Sequence, residues 1–359
     1  MRAAVAGIGC VTPLGCGMDE VWRRVDAGES PELTRVVNPE TAREHVVAPV
    51  PKAVLAGLAH LGREPRMRRA SPISLFAAAA GKAALADSGL ELAGPVKSRL
   101  AVVFGVSSGG VQYTRRFYEQ VVKQGANAAS PLLFPETVYN APASHLAAML
   151  GVDGATYTLV GDGTVGMQAL HFAAQLLAIN DADHVLVVAA EELDWILAEA
   201  HHDWRLLATA RTVPRSPAGR RGAIIAEGAA AVLLQREGGR ATIEIAPGES
   251  FFSRKDAAGA LSAALSVHSH RGPVDLIADG ANGTWVDDPI REAVARNFPQ
   301  PPKRTLPVKE WFGEAIGCGA LLQVVAGVDG LARFGCASAL VPCIGWNQQA
   351  AAAWIGRCG

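Results

Sequence analysis

A strand that stops at a glycine-rich turn and passes directly into a long apolar helix constrains this chain more than any other feature. Between Ala155 and Ala178 the sequence reads ATYTLVGDGTVGMQALHFAAQLLA. Tyr157, Leu159 and Val160 form an alternating and then apolar run, Gly161-Asp162-Gly163 breaks it, and Met167, Leu170, His171, Ala174 and Leu177 follow at helical spacing. Such an elbow presents its tip to a site above the sheet edge, next to helix N–H groups that favour developing negative charge. In most enzymes built this way the tip is a nucleophile. Here the tip is Gly161, Asp162 and Gly163, and the expected nucleophile is missing.

The rest of the chain alternates strand and helix around this unit. Ala3 to Gly9 reads as a buried strand, followed by a turn at Thr12-Pro13-Leu14-Gly15 and a short helix from Met18 to Asp26. Ser30 to Pro65 reads as a polar surface excursion, with Arg63, Arg66, Arg68 and Arg69 just past it and Lys82 further on. A solvated face is favoured for this basic run over contact with an acidic carrier protein. Pro72 opens a helix that ends near Gly89. Leu100 to Val106 is a strand ending in the turn Ser107-Ser108-Gly109-Gly110, Arg115 to Gln124 is helical, and Ala128 to Pro142 is apolar but too Pro-broken for one element, which suits an interface or a pocket lining. A helix from Ala143 to Leu150 leads into the elbow. Beyond it come a strand at His184 to Ala190, a segment with Trp and His from Glu191 to Leu207, a basic turn from Arg211 to Arg221, and a strand pair at Ala229 to Gln235 and Ala241 to Ile245. Helix and strand alternate again through Gly259 to Val267, Val274 to Ala278, Ile290 to Asn297, Leu306 to Val308, Gly317 to Leu331 and Ala339 to Ile344. This order argues an α/β fold with mainly parallel sheets covered by helices. Phe312-Gly313-Glu314 followed by Ile316 to Leu331 echoes the elbow, so two pseudo-repeated halves are expected, 1–237 with surface excursions and 238–359.

Composition excludes several classes. At 359 residues, 50% hydrophobic and 19% charged, the chain buries much surface, and a net charge of −1 gives no pull toward nucleic acid or anionic membrane. No segment approaches ~20 apolar residues without a charge or a breaker, and the N-terminus is too Gly-broken for a signal peptide, so no membrane span and a cytoplasmic location are expected. The six cysteines contain no CxxC pair, which points to reduced thiols rather than disulfides or zinc. His201-His202 with Asp203 is the one candidate metal pair, but adjacent histidines on a strand point to opposite sides, so a surface role is favoured. No cofactor is expected.

Several segments together resemble the β-ketoacyl-acyl carrier protein synthases, condensing enzymes of the thiolase fold. They are VAGIGCVTPLG, LAVVFGVSSGG, LLFPETVYNAPASHLAAMLGVDGATYTL, ADHVLVVAAEE, RSPAGRRGAIIAEGAAAVLLQRE, ADGANGT and PVKEWFGEAIGCGA, and their order and spacing run nearly end to end. The resemblance implies a thiolase fold whose two pseudo-repeated halves make an α-β-α-β-α layering. In that family the elbow tip is a cysteine that accepts the acyl chain, and two histidines stabilise the enolate left by decarboxylation. The resemblance puts Gly163 where the cysteine would be, Asn282 at the first histidine, in Asn282-Gly283-Thr284, and Glu314 at the second, with the lysine kept as Lys309. The nine histidines agree, since the last is His270 and none follows Arg271.

Substitutes for the lost groups are limited. Cys318 reads as a packed small residue rather than a displaced thiol. Asp162 with Glu314 makes a conceivable acid/base pair, although a structural role is favoured, with Glu314 ion-paired to Lys309 or to a partner's arginine. The resemblance therefore implies a catalytically inactive, chain length factor-like subunit, heterodimeric with an active synthase and meeting acyl carrier protein through that complex. Shortness and the glycine tip bring it nearest to the reduced subunits of aryl polyene-type polyketide synthases. On this reading Leu133, Phe134, Val138, Tyr139 and Asn140 line or plug a tunnel at the interface, and the strand bearing Tyr157 and Leu159 pairs with the partner. At the family's gate stand Ile344 and Trp346, the latter large enough to fill a pocket and close it to substrate. Two alternatives stay open: a hydrolase or acyltransferase working through Asp162 or Glu314, and a homodimeric carrier-binding scaffold.

Overall fold

The computed structural model describes residues 1–209 and 221–358. The chain begins with β1 (Arg2–Thr12), β2 (Gly15–Cys16), α1 (Met18–Asp26), β3 (Thr34–Val37), β4 (Glu44–Ala48), α2 (Lys52–Leu58), α3 (Pro72–Ser88) and α4 (Pro95–Arg99). The unit around the elbow follows: β5 (Leu100–Val106), α5 (Val111–Gln124), α6 (Ala141–Leu150), β6 (Thr156–Val160), α7 (Val165–Ala178), β7 (His184–Glu191), α8 (Trp195–Asp203), β8 (Ile225–Ala226) and β9 (Gly228–Gln235). After it come β10 (Ala241–Ile245), β11 (Glu249–Ser250), α9 (Ala257–Ser266), β12 (Leu276–Ala278), α10 (Asp287–Asn297), β13 (Arg304–Leu306), α11 (Val308–Phe312), α12 (Gly319–Phe334), β14 (Ser338–Gly345) and β15 (Gln349–Arg357).

The main sheet has 12 strands, in the order β13-β12-β14-β15-β10-β1-β9-β7-β5-β6 with β11 beside β15 and β2 beside β1. It is mixed, not mainly parallel as the alternation of elements suggested. The pairs β5–β6, β5–β7, β12–β13 and β12–β14 are parallel, and the pairs through the middle are antiparallel. The cause is connectivity. Parallel neighbours require a helical crossover, which α6, α7, α10 and α12 supply toward the two edges, whereas β14 and β15 are joined by a tight turn. The strands at Ala229 to Gln235 and Ala241 to Ile245 are not paired with each other, because β1 lies between them. Read inward from either edge, the strands follow the same succession in both parts of the chain, β6-β5-β7-β9-β1 and β13-β12-β14-β15-β10.

Strand alternation builds the layers. On β7, Val185, Val187 and Ala189 face a core shared with α7 and α12, while Leu186, Val188 and Ala190 face a core built on α3. On β14, Ala339, Val341 and Cys343 join the first core, while Leu340 and Ile344 pack against α9 and α10. Helices α7 and α12 thus lie together between the two parts of the sheet, giving the α-β-α-β-α layering of a thiolase-like fold. Close approach of α3 to β1 depends on glycine: a Cβ on Gly9 would lie 2.3 Å from the Ala80 carbonyl oxygen.

Three features depart from the sequence reading. The stretch from Ser30 to Pro65 is not wholly superficial, because β4 joins β3 and β8 in a second sheet and Val47, Ala48 and Val50 are buried. The alanine-rich β15 had no counterpart in the reading. The segment carrying His201 and His202 is a helix, capped by the Asp194 carboxylate on the Ile196 N–H at 3.1 Å, so neighbouring side chains diverge around an axis rather than across a strand. The basic turn from Arg211 to Arg221 lies, apart from Arg221, outside the described residues. No helix among the described residues is long and apolar enough to cross a membrane.

Because the space facing Gly9 is backbone rather than a movable side chain, Gly9→Val should lower unfolding free energy by about 3 kcal/mol, the upper end for overpacked cores. Urea denaturation of the purified chain measures it, and an unchanged midpoint would refute the close approach.

Candidate functional site

The elbow is tied into the sheet at its base. The Gly161 N–H donates to the Val106 carbonyl at 3.0 Å, and Thr164 begins α7. Gly163, at the tip, is buried, and a Cβ there would meet only the Gly345 Cα, at 3.3 Å. The absence of a side chain at 163 therefore brings the turn between β14 and β15 against the elbow.

Hydrogen bonds stitch the two together. The Asn347 N–H donates to Asp162 Oδ2 at 2.6 Å, Cys343 Sγ donates to the Gly163 carbonyl at 3.2 Å, and Gln349 Oε1 accepts from Thr164 Oγ1 at 3.0 Å and Gln168 Nε2 at 2.7 Å. Gly345 is required by this contact, since a Cβ on it would lie 2.2 Å from Asp162 Oδ2. Burial pushes the Asp162 carboxyl up, against the backbone N–H groups that favour its charged form.

A second polar group forms where the resemblance places the two lost histidines. Glu314 Oε2 accepts from Lys309 Nζ at 2.7 Å and from Asn282 Nδ2 at 2.6 Å. Asn282 Oδ1 accepts from Thr284 Oγ1 at 2.7 Å, and Trp346 Nε1 donates to that Oγ1 at 3.1 Å. The Asp287 carboxylate holds the Asn282 and Gly283 N–H groups. Asn282, Lys309 and Glu314 are each at most 3% exposed. Burial pulls the Lys309 ammonium down, but the adjoining Glu314 carboxylate outweighs it and holds its pKa above the ordinary value. Glu314 Oε1 has no hydrogen-bond partner.

The structure thus brings Gly163, Asp162, Asn282, Lys309, Glu314 and Trp346 together: Lys309 and Asn282 are joined through Glu314 Oε2, Trp346 joins them through Thr284, and Asp162 is engaged by the Asn347 N–H. Asp162 and Glu314 sense each other electrostatically but no hydrogen bond joins them, each being engaged by other partners. Cys318 is fully buried, which raises its thiol pKa well above the ordinary value, so it is no nucleophile. His201 and His202 part company on α8: His201 packs against Trp204 and Trp346, whereas His202 lies against His45 on the other side.

A cavity of about 770 Å³ opens between the elbow, α8 and the turn after β14, with Trp346 as one wall. The indole is held aside by its hydrogen bond to Thr284 and its packing on His201. Ile344 is buried in the core beneath.

The remaining predicted residues lie on another face. Leu133 is buried, while Phe134, Val138, Tyr139 and Asn140 are exposed. Glu136, which sequence reasoning passed over, anchors this segment by accepting the Ser71 N–H at 2.8 Å and pairing with His145 at 2.5 Å. Tyr157 packs edge-on against Phe172 and Leu159 against the shared core. Also missed were Glu191 and Glu192, which directly follow the apolar run of β7. Burial pushes Glu191 up to about 7 and Glu192 up to about 8, and each carboxylate accepts backbone N–H groups from two separate segments.

Two measurements test this arrangement. Lys309→Met leaves a buried carboxylate unpaired and should cost about 3–5 kcal/mol in urea unfolding, with most of it recovered in Lys309→Met/Glu314→Leu. Gly345→Ala should be strongly destabilising alone and much less so combined with Asp162→Ala. Additive effects in that cycle would disprove the contact.

The comparisons with known proteins agree with one another. The family model for the N-terminal domain of β-ketoacyl synthases matches residues 1–238. The 3-oxoacyl-[acyl-carrier-protein] synthase 2 of Vibrio cholerae is 29% identical over 197 residues, 53% of this chain and 46% of that protein. A putative polyketide beta-ketoacyl synthase 1 of Streptomyces cyaneus is 25% identical over 374 residues, 92% of this chain and 86% of that protein. The chain spans about half the length of the first of the curated relatives it matches. Among solved structures, a β-ketoacyl synthase from Burkholderia phymatum superposes with a TM-score of 0.84 at 19% identity, covering 100% of both chains. The ishigamide ketosynthase/chain length factor gives 0.79 at 20% identity over 100% of both chains. The ketosynthase ApeO in complex with its chain length factor ApeC, from Xenorhabdus doucetiae, gives 0.79 at 14% identity, covering 99% of this chain and 98% of that chain. At these identities the structural likeness speaks to the fold, and with the family model over residues 1–238 it leads to one statement: this chain belongs to the β-ketoacyl synthase family.

Proposed function

We propose that this chain is a non-catalytic, chain length factor-like partner of an active β-ketoacyl-acyl carrier protein synthase, which it stabilises and whose acyl or polyketide tunnel it shapes at a heterodimer interface. The observation that carries the reading is the pairing of Asn282 and Lys309 with Glu314 Oε2 beside a tip, Gly163, that has no side chain. Acyl transfer needs a nucleophile, and enolate stabilisation needs donors aimed at a developing oxyanion. Asn282 and Lys309 each direct a donor to Glu314 Oε2, and a carboxylate repels an enolate.

The exposed face supports the partner role. Phe134, Val138 and Tyr139 are 55%, 38% and 47% exposed, and Val160, at the end of edge strand β6, is 55% exposed. Apolar side chains beside an unpaired strand edge are unfavourable in water and are covered in an assembly. Two of the similar structures are ketosynthases with chain length factors, which suggests what covers it here. The carrier protein would meet the complex through the active subunit, and the halves 1–237 and 238–359 would each contribute one repeat. The hydrolase reading is disfavoured, because Asp162 is engaged by Asn347 and packed on Gly345.

The isolated chain, incubated with radiolabelled acyl- and malonyl-carrier proteins, should show no acyl transfer, hydrolysis or CO2 release, and any of these would sink the proposal. Co-expressed with a cognate synthase, it should purify as a heterodimer, whereas purification as a self-contained dimer would favour the scaffold alternative. Phe134→Ala or Tyr139→Ala should lengthen the product of the complex; unchanged length with intact assembly counts against the tunnel role.

A further inference from the structure

A large cavity opens beside the elbow, and its lining has a definite chemistry. Three of the chain's seven tryptophans, Trp204, Trp285 and Trp346, line it. Trp204 and Trp346 flank His201 with ring centroids 5.0 and 5.2 Å from it, so the three rings make one continuous aromatic wall. Trp346 is fixed on that wall by its hydrogen bond to Thr284 and by the Asn347–Asp162 hydrogen bond that follows it in the chain. The wall is therefore preorganised, and a ligand lying on it would not have to order it.

Two charged groups line the cavity, and they differ in availability. Asp162 is 7% exposed, and its carboxylate is taken by the Asn347 and Thr164 N–H groups. Arg254 is exposed and lies over the Trp285 ring at 4.9 Å, and no carboxylate among the described residues pairs with it. Burial lowers the His201 pKa, disfavouring its charged form, and Arg254 is the lysine-or-arginine cation among the described residues that line the cavity. An aromatic wall with one free, planar, fork-shaped cation suits a flat ring that ends in an oxyanion.

We propose that this cavity is a binding site for a planar aromatic carboxylate, its ring against the Trp204–His201–Trp346 wall and its carboxylate at Arg254. The size is sufficient, since about 770 Å³ lies within the range of small-molecule sites. Asp162 fixes the orientation, because an anion placed deep in the cavity would meet its carboxylate. The wall and Arg254 belong to this chain, while Val160, at one rim of the cavity, also lies on the face assigned to the partner.

Isothermal titration calorimetry on the full chain without a partner tests it, using 2-naphthoate against 2-naphthol, octanoate and pantetheine. The expected result is saturable binding of one 2-naphthoate per chain, with the other three at least about tenfold weaker, the loss of one charge-assisted pair or one stacking surface. Arg254→Leu should weaken 2-naphthoate by about tenfold and leave 2-naphthol unchanged, while Arg254→Lys keeps most of the affinity. Trp204→Leu should weaken both ring compounds. Both substitutions are at exposed positions, and circular dichroism checks that the variants fold. The proposal is overturned if 2-naphthoate gives no saturable heat at millimolar concentration, if octanoate or pantetheine binds as tightly, or if Arg254→Leu has no effect. None of these results bears on whether the chain pairs with a synthase.

Discussion

The ion pair between Lys309 and Glu314 is the interaction on which the C-terminal side of the site depends. Both groups are buried, and two charges removed from water are tolerated only when each compensates the other and further hydrogen bonds take up what remains. Asn282 supplies one such bond, and Thr284, Trp346 and Asp287 extend the network to the cavity wall and to the start of α10. The carboxylate at 314 draws Lys309 and the Asn282 amide into one cluster through Oε2, and the hydrogen bonds that continue from Asn282 through Thr284 orient Trp346.

The N-terminal side is organised by an absence. Without a side chain at 163 the turn after β14 approaches to van der Waals distance, and Asp162 then finds the Asn347 N–H where a glycine at 345 leaves room for it. Glycine at 163, aspartate at 162 and glycine at 345 are one steric solution, distributed over positions nearly two hundred residues apart. The two sides meet at Trp346, held by Thr284 from one and adjoined by Asn347 from the other, and together they fix one wall of the cavity.

Much of this was legible in advance because it is local. The elbow, the helix from Pro72 to Gly89 and the strand from Leu100 to Val106 follow from apolar period, breakers and caps within a few residues, and the structure has them at those positions. Gly163, Asn282 and Glu314 stood out because motifs of the resemblance run through them. What escaped the reading depended on distant partners. The second sheet within residues 30–65 exists because β8, far along the chain, pairs with β4. The alanine run of β15 has little strand propensity and is a strand because β14 and β10 flank it. The size of Trp346 is visible in the sequence, whereas its direction is set by Thr284 and His201.

The sequence by itself determined the family, the thiolase-like succession of elements and the identity of the residues at the degenerate positions, since these reside in composition and spacing along the chain. Only the tertiary structure decided that the sheet is mixed, that Glu314 is neutralised by Lys309 and Asn282, and that the space above the elbow stays open. Those outcomes depend on which side chains meet across long separations in low-dielectric surroundings, where an unpaired charge is costly and a missing Cβ is filled by whatever backbone can reach it.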